Sequence, residues 1–117
     1  MTDVPGMPAL VPELSYFFPA HNEAENLRAL VAEALATLPA LAARFEIVIV
    51  DDGSRDATPA IAEELAAAHP EVRAVHHRTN LGYGAALRTG FAAAQYELLA
   101  FTAVSYTHLT LPTILRV

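Results

Sequence analysis

Two adjacent carboxylates, Asp51 and Asp52, close the apolar run 47–50 and are followed directly by Gly53 and Ser54. Two such charges at the mouth of a buried element repel each other, so solvent or a ligand must be there to use them. A carboxylate fixed at a strand end accepts hydrogen bonds from the N–H groups of a nucleobase edge, and a glycine beside it lets backbone come close to a ligand. A plainer reading is an acidic turn leading into a helix, with Asp56 favoured by the helix N-terminus. That reading leaves Asp51, next to a buried valine, without a task.

Two further stretches carry residues of the same kind. In PAHNEAEN, residues 19–26, Asn22 with Glu25 three residues on has the form of a capping box, which explains those two but not Pro19, His21 or Glu23. In HHRTNLGYGAALRTG, residues 76–90, Gly82 and Gly84 stand where a helix should begin and would let backbone N–H groups approach a phosphate. A lone Gly-x-Gly is weak evidence, and a dinucleotide fold carries its glycines after the first strand, not the third. Arg78 or Arg88 is placed to neutralise a diphosphate, although arginines in such positions are commonly solvated. His76 and His77 read as polar strand-end residues and not as metal ligands, since no third ligand is spaced to join them.

The elements that must position these residues follow from apolar spacing. Strands are expected over 15–18, 45–50, 72–76 and 97–102. Between them, Leu27, Leu30, Val31, Ala34, Leu35, Leu38 and Leu41 recur at helical spacing. Thr58 before Pro59 is expected to cap a second helix, and a third is expected over 84–95 with Leu87, Phe91 and Ala94 in register. Strand alternating with helix implies an α/β fold, a Rossmann-like parallel sheet with flanking helices. Ligands of such sheets bind outside the carboxyl ends of the strands, which is where all three stretches lie.

Composition narrows the chemistry. At 117 residues the chain holds one domain at most. It has no cysteine, which removes disulfides, thiolate nucleophiles and Cys-based zinc sites. All seven basic residues are arginine, which excludes a Walker-type lysine and Schiff-base chemistry. A net charge of -6 without a basic cluster argues against nucleic acid as partner. No apolar run approaches the roughly 18 residues of a membrane span, and 1–13 has neither a basic nor a continuous apolar segment, so it is expected to be a flexible leader and the protein cytoplasmic.

The order FPAHNEAENL, EIVIVDDGSRDAT, NLGYGAALRTGF, ELLAFT resembles the N-terminal nucleotide-binding half of an inverting family 2 glycosyltransferase, most like the dolichol-phosphate or polyprenyl-phosphate mannosyl- and glucosyltransferases. The resemblance implies the N-terminal part of a GT-A fold over 14–102, binding a nucleoside-diphosphate sugar. It implies that Pro19, Ala20, His21 and Glu23 line the nucleotide pocket, histidine standing where the family often has tyrosine. It further implies that Asp51 accepts from the base, that Asp52 and Gly53 border the pocket, and that Asn80, Gly82 and Gly84 shape its third wall. Intact relatives would pass a hexose to polyprenyl phosphate or another acceptor by direct displacement, in bacterial cell-wall or glycolipid synthesis, peripheral to the inner membrane.

The family follows its fourth strand with an Asp-x-Asp motif holding Mg2+ or Mn2+, whereas Ala103 stands at the first aspartate and no acid occurs from 103 to 117. The metal ligands and the acceptor half are therefore expected to be missing, no catalytic residue is assigned, and the chain should bind nucleotide at most. Alanine also vanishes from Val104 on, which marks 103–117 as a truncated or non-native tail; a terminal strand is the alternative, given its Thr, Tyr, Leu and Ile. Two other functional classes compete. A receiver-like module would use an acid pair for Mg2+, but it needs the pair after strand one and a lysine. A non-catalytic interaction module would self-associate through an exposed sheet edge.

Overall fold

The computed structural model describes residues 11–101 and 113–116. In chain order it contains β1 (Val11–Ala20), α1 (Ala24–Thr37), a short 3-10 turn (Leu38–Ala40), β2 (Ala42–Asp51), α2 (Thr58–Ala68), β3 (Val72–His76), α3 (Tyr83–Ala93), β4 (Leu98–Phe101) and β5 (Thr113–Arg116). They form one sheet in the order β3-β2-β1-β4-β5. The first four of these strands run parallel, and β5 joins antiparallel to β4.

Residues 14–18 of β1 and 46–51 of β2 are buried without interruption, because helices cover both faces of the sheet. Strand alternation divides them. Tyr16, Phe18, Ile47 and Ile49 enter the larger core with Leu27, Leu30, Val31 and Ala34 of α1 and Ile61, Ala62 and Leu65 of α2. Phe17, Val48 and Val50 face the other way, onto Ala86 of α3. There the helix comes very close: a Cβ on Gly90 would stand 2.0 Å from the Phe17 ring, so only glycine lets α3 settle on the sheet.

The α3 face also encloses a polar cluster. Glu46 Oε2 accepts from the Ser15 hydroxyl at 2.6 Å and from the Gln95 N–H at 2.7 Å, while Oε1 accepts from Arg73 Nε at 3.0 Å. Arg73 also donates to the Ala93 carbonyl at 2.6 Å, and the Tyr96 N–H donates to Ser15 Oγ at 3.0 Å. The turn between α3 and β4 is thereby tied to three strands at once.

Several local expectations differ from the structure. β1 begins at Val11, inside the stretch expected to be leader, because the Val11 N–H donates to the Leu41 carbonyl and the ladder with β2 starts at Ala42. The capping box does not form: Asn22 sits in the left-handed region at φ 54° and its side chain accepts from the Arg55 N–H, so it is spent on the neighbouring loop. Thr58 is the first helical residue of α2 and not its cap. Asp56 serves both helices instead, Oδ1 accepting from the Thr58 N–H at 2.9 Å and Oδ2 from the Ala24 N–H at 3.2 Å. A hydrogen bond with the Thr58 side chain first, and then these backbone donors, outweigh burial and hold the Asp56 carboxyl below its usual range. Within the expected tail, 113–116 form β5; Ala103 and the rest of the composition break lie outside the described residues.

Candidate functional site

The strand register sets Ala20, Asp51 and His76 abreast at the carboxyl edge of β1, β2 and β3. Three loops therefore leave the sheet side by side. They enclose a cleft of about 310 Å3 lined by Pro19, Ala20, His21, Glu23, Asp52, Asn80, Gly82 and Tyr83. That is within the size range of small-molecule sites, about 300 to 1,000 Å3.

Gly53 makes the meeting of two of these loops possible. It has φ +68°, and a Cβ there would lie 2.1 Å from the Thr79 carbonyl carbon and 2.3 Å from the Asn80 nitrogen. Any side chain would push apart the loops after β2 and β3. His21 joins the first loop to the other two. Its Nδ1 donates to the Asp52 carbonyl at 2.9 Å, which leaves Nε2 to accept from Asn80 Nδ2 at 2.9 Å.

Asp52 is the buried carboxylate of this cleft, beside the more exposed Glu23. Its Oδ1 accepts from His77 Nδ1 at 2.8 Å and the Leu81 N–H at 2.9 Å, and its Oδ2 from the Gly82 N–H at 3.0 Å. Burial pushes the group up, but the His77 hydrogen bond and the two backbone donors outweigh it and hold the carboxyl below its usual range. Asp51 is engaged elsewhere. Its Oδ1 accepts from the Ser54 N–H at 3.1 Å and its Oδ2 from His76 Nδ1 at 2.7 Å, and His76 Nε2 reaches Glu63 of α2 at 2.6 Å. Burial lowers the pKa of His76, yet the flanking carboxylates of Asp51 and Glu63 outweigh it, so the ring titrates above its ordinary range.

Of the residues expected at a nucleotide pocket, Pro19, Ala20, His21, Glu23, Asp52, Asn80 and Gly82 share this cleft. Asp51, Gly53 and Gly84 do not line it. Gly53 lines an adjoining cavity of about 460 Å3 with His21, Asn22, Ser54, Arg55, Arg78, Thr79 and Asn80, a lining with two arginines and no carboxylate. Sequence reasoning passed over Tyr83, whose signal was an aromatic ring between two glycines at a helix start, and over the role of His77, whose signal was a His-His pair following a strand next to Asp-Asp.

The model of the family described as glycosyl transferase family 2 matches residues 15–103. The chain belongs to this family. Glycosyltransferase AglD of Haloferax volcanii is 37% identical over 91 residues, which cover 76% of this chain and 15% of AglD. Polyprenol monophosphomannose synthase of Mycolicibacterium smegmatis is 45% identical over 74 residues, covering 62% of this chain and 26% of the synthase. Among solved structures, mannosyltransferase PcManGT from Pyrobaculum calidifontis, in complex with GDP-Man and Mn2+, superposes with a TM-score of 0.72 at 26% identity, covering 86% of this chain and 30% of that one. This family 2 chain spans 15% to 31% of the length of such curated relatives. The α/β, Rossmann-like architecture expected from the sequence agrees with these GT-A neighbours.

The metal that the family resemblance implies finds no suitable donor set among the described residues of this family 2 domain. No cluster of three or more His, Cys, Asp or Glu side chains there could hold an ion. Asp51 and Asp52 face histidine and N–H donors, which a hard cation would have to displace. The position of Ala103, where the family's first aspartate would stand, lies outside the described residues. No helix among the described residues is long and apolar enough to cross a membrane.

Proposed function

We propose that this chain is the donor-binding part of a family 2 glycosyltransferase and that its cleft takes the nucleotide of a nucleoside-diphosphate sugar. The observation that carries the reading is the convergence of three loops on one cleft with Asp52 in its wall. Asp52 Oδ2, with one N–H donor from the protein, keeps acceptor capacity for a base N–H. In this reading Asp52 takes the role expected of Asp51, which touches Ser54 and His76 instead. The adjoining arginine-lined cavity supports the diphosphate, since Arg55 and Arg78 meet no acid in that lining and share His21 and Asn80 with the cleft. Glu23, Pro19 and Tyr83 supply the walls, and Gly53 and Gly84 act on the loop geometry.

In the whole enzyme, a phosphate oxygen of a polyprenyl phosphate acceptor would attack the anomeric carbon of the sugar while the nucleoside diphosphate leaves. The names of the relatives support the acceptor class, polyprenol in one and dolichyl phosphate in others. We assign the nucleotide-binding unit to 14–102, and the start of β1 at Val11 supports extending it to that residue.

Calorimetric titration of the chain with GDP and with UDP tests the binding step. Binding of one of them is expected, weakened roughly tenfold in Asp52→Asn through loss of a charged acceptor. A chain that melts cooperatively but takes up neither nucleotide contradicts the proposal.

A further inference from the structure

We infer that His77 is a positioning residue of the cleft, fixing the Asp52 carboxylate, while its neighbour His76 clasps Asp51 in the same manner away from the cleft. The inference rests on the nucleotide reading above for its consequence, but not for its geometry. Adjacent residues at the ends of two neighbouring strands point to opposite faces of a sheet. Two acids at the end of β2 therefore meet two histidines at the end of β3 one by one, Asp51 with His76 and Asp52 with His77. Each histidine then passes on to a different helix. His76 reaches Glu63 of α2, and His77 Nε2 reaches Thr89 Oγ1 of α3 at 2.7 Å.

The clasps give each of two adjacent carboxylates at a buried edge, where they are 1% and 5% exposed, a partner of its own. They differ in what they serve. Asp52 lines the cleft, and Asp51 does not. Three donors fix the Asp52 plane, two of them backbone N–H groups from 81 and 82 and the third the His77 ring. A ligand then meets an acceptor already oriented, with no rotamer left to freeze. The backbone of His77 is held separately, its N–H donating to the Asp51 carbonyl at 2.9 Å, so a change of side chain leaves the chain path in place.

Two near-isosteric replacements separate positioning from bulk stability. The amide nitrogen of His77→Asn falls near Nδ1 and retains the donor to Asp52, whereas that of His77→Gln falls near Nε2 and retains only the Thr89 side. With whichever of GDP or UDP binds, His77→Gln should weaken affinity roughly tenfold, while His77→Asn and His76→Gln stay within about twofold of the parent chain. The Asp52 carboxyl, followed by carbon NMR, should titrate higher in His77→Gln and unchanged in His76→Gln. If neither nucleotide binds the parent chain, the nucleotide reading fails, and the Asp52 titration alone decides: a rise confined to His77→Gln upholds the clasp. An unmoved titration in His77→Gln overturns it, as does equal weakening by His76→Gln.

Discussion

Two carboxylates, Glu46 and Asp52, are buried almost equally in this domain, at 6% and 5% exposure. Their partners set them apart. Glu46 receives three donors on two oxygens, Arg73 Nε on Oε1 and the Ser15 hydroxyl and the Gln95 N–H on Oε2, and an Nη of Arg73 lies 2.9 Å from Oε1 in an ion pair. It is paired with a guanidinium within the chain. Asp52 receives three donors, has no arginine beside it, and lines a cleft. Burial alone therefore does not mark a site; a buried acid with no arginine paired to it, facing open volume, does. The Glu46 cluster holds the α3–β4 turn on the sheet, and the Asp52 cluster presents an acceptor.

Breaking the closed cluster should have the largest effect on stability. Glu46→Ala strands the buried Ser15 hydroxyl, takes the acceptor from the part-buried Gln95 N–H and frees Arg73 only partly to water, a loss of about 3 kcal/mol in urea unfolding. Nucleotide affinity of the molecules that remain folded should be unchanged. Equal damage to affinity would erase the distinction between the clusters.

On the open side, Gly53→Ala places a methyl group against the backbone of Thr79 and Asn80 at a left-handed φ. The expected cost is about 2 kcal/mol, with nucleotide binding lost as well because the loops after β2 and β3 separate. A variant as stable and as competent as the parent would mean that these loops do not need their close approach.

Acid and base limits sharpen the comparison next. The raised pKa of His76 contributes stability that is complete below its ordinary value of 6.5 and is lost as pH rises through its folded value. The lowered pKa of Asp52 contributes stability that is complete above its ordinary value of 3.8 and is lost as pH falls through its folded value. Melting temperature should therefore form a plateau between those ordinary values and decline on the alkaline side above 6.5. His76→Gln should abolish that alkaline decline, since Asp51 and Glu63 then face no titrating ring. Persistence of the decline in the variant would assign it to another group.

The smallest effect belongs to a polar atom in neither cluster. The Tyr16 hydroxyl is buried with no hydrogen-bond partner among the described residues, and burial, with Glu33 adding to it, pushes its pKa up. Tyr16→Phe should leave stability unchanged or raise it by up to about 1 kcal/mol. A clear loss in thermal unfolding would point to a buried water bound there.

The strands, and which loops meet, were legible because both depend on apolar runs and on strand–helix alternation. The strand at 72–76 was read to the residue, and seven of the eight cleft residues were named through the family resemblance of the motifs after the strands. The caps were not legible. A capping box is a local pattern, and at Asn22 a contact with Arg55, distant in sequence, overrode it. That Asp52 and not Asp51 lines the cleft was hidden for a related reason. Side-chain direction at a strand end depends on register, and register is set by β3, which a single strand's sequence does not show.

Amide chemical-shift mapping during titration with GDP and with UDP tests the central claim most directly, that the cleft at Asp52 is the nucleotide site. Saturable shifts centred on Ala20, His21, Leu81 and Gly82 are expected, with the Gln95 and Tyr96 amides of the Glu46 cluster unmoved. Shifts centred on Gln95 and Tyr96, or none in a well-folded spectrum, would contradict it.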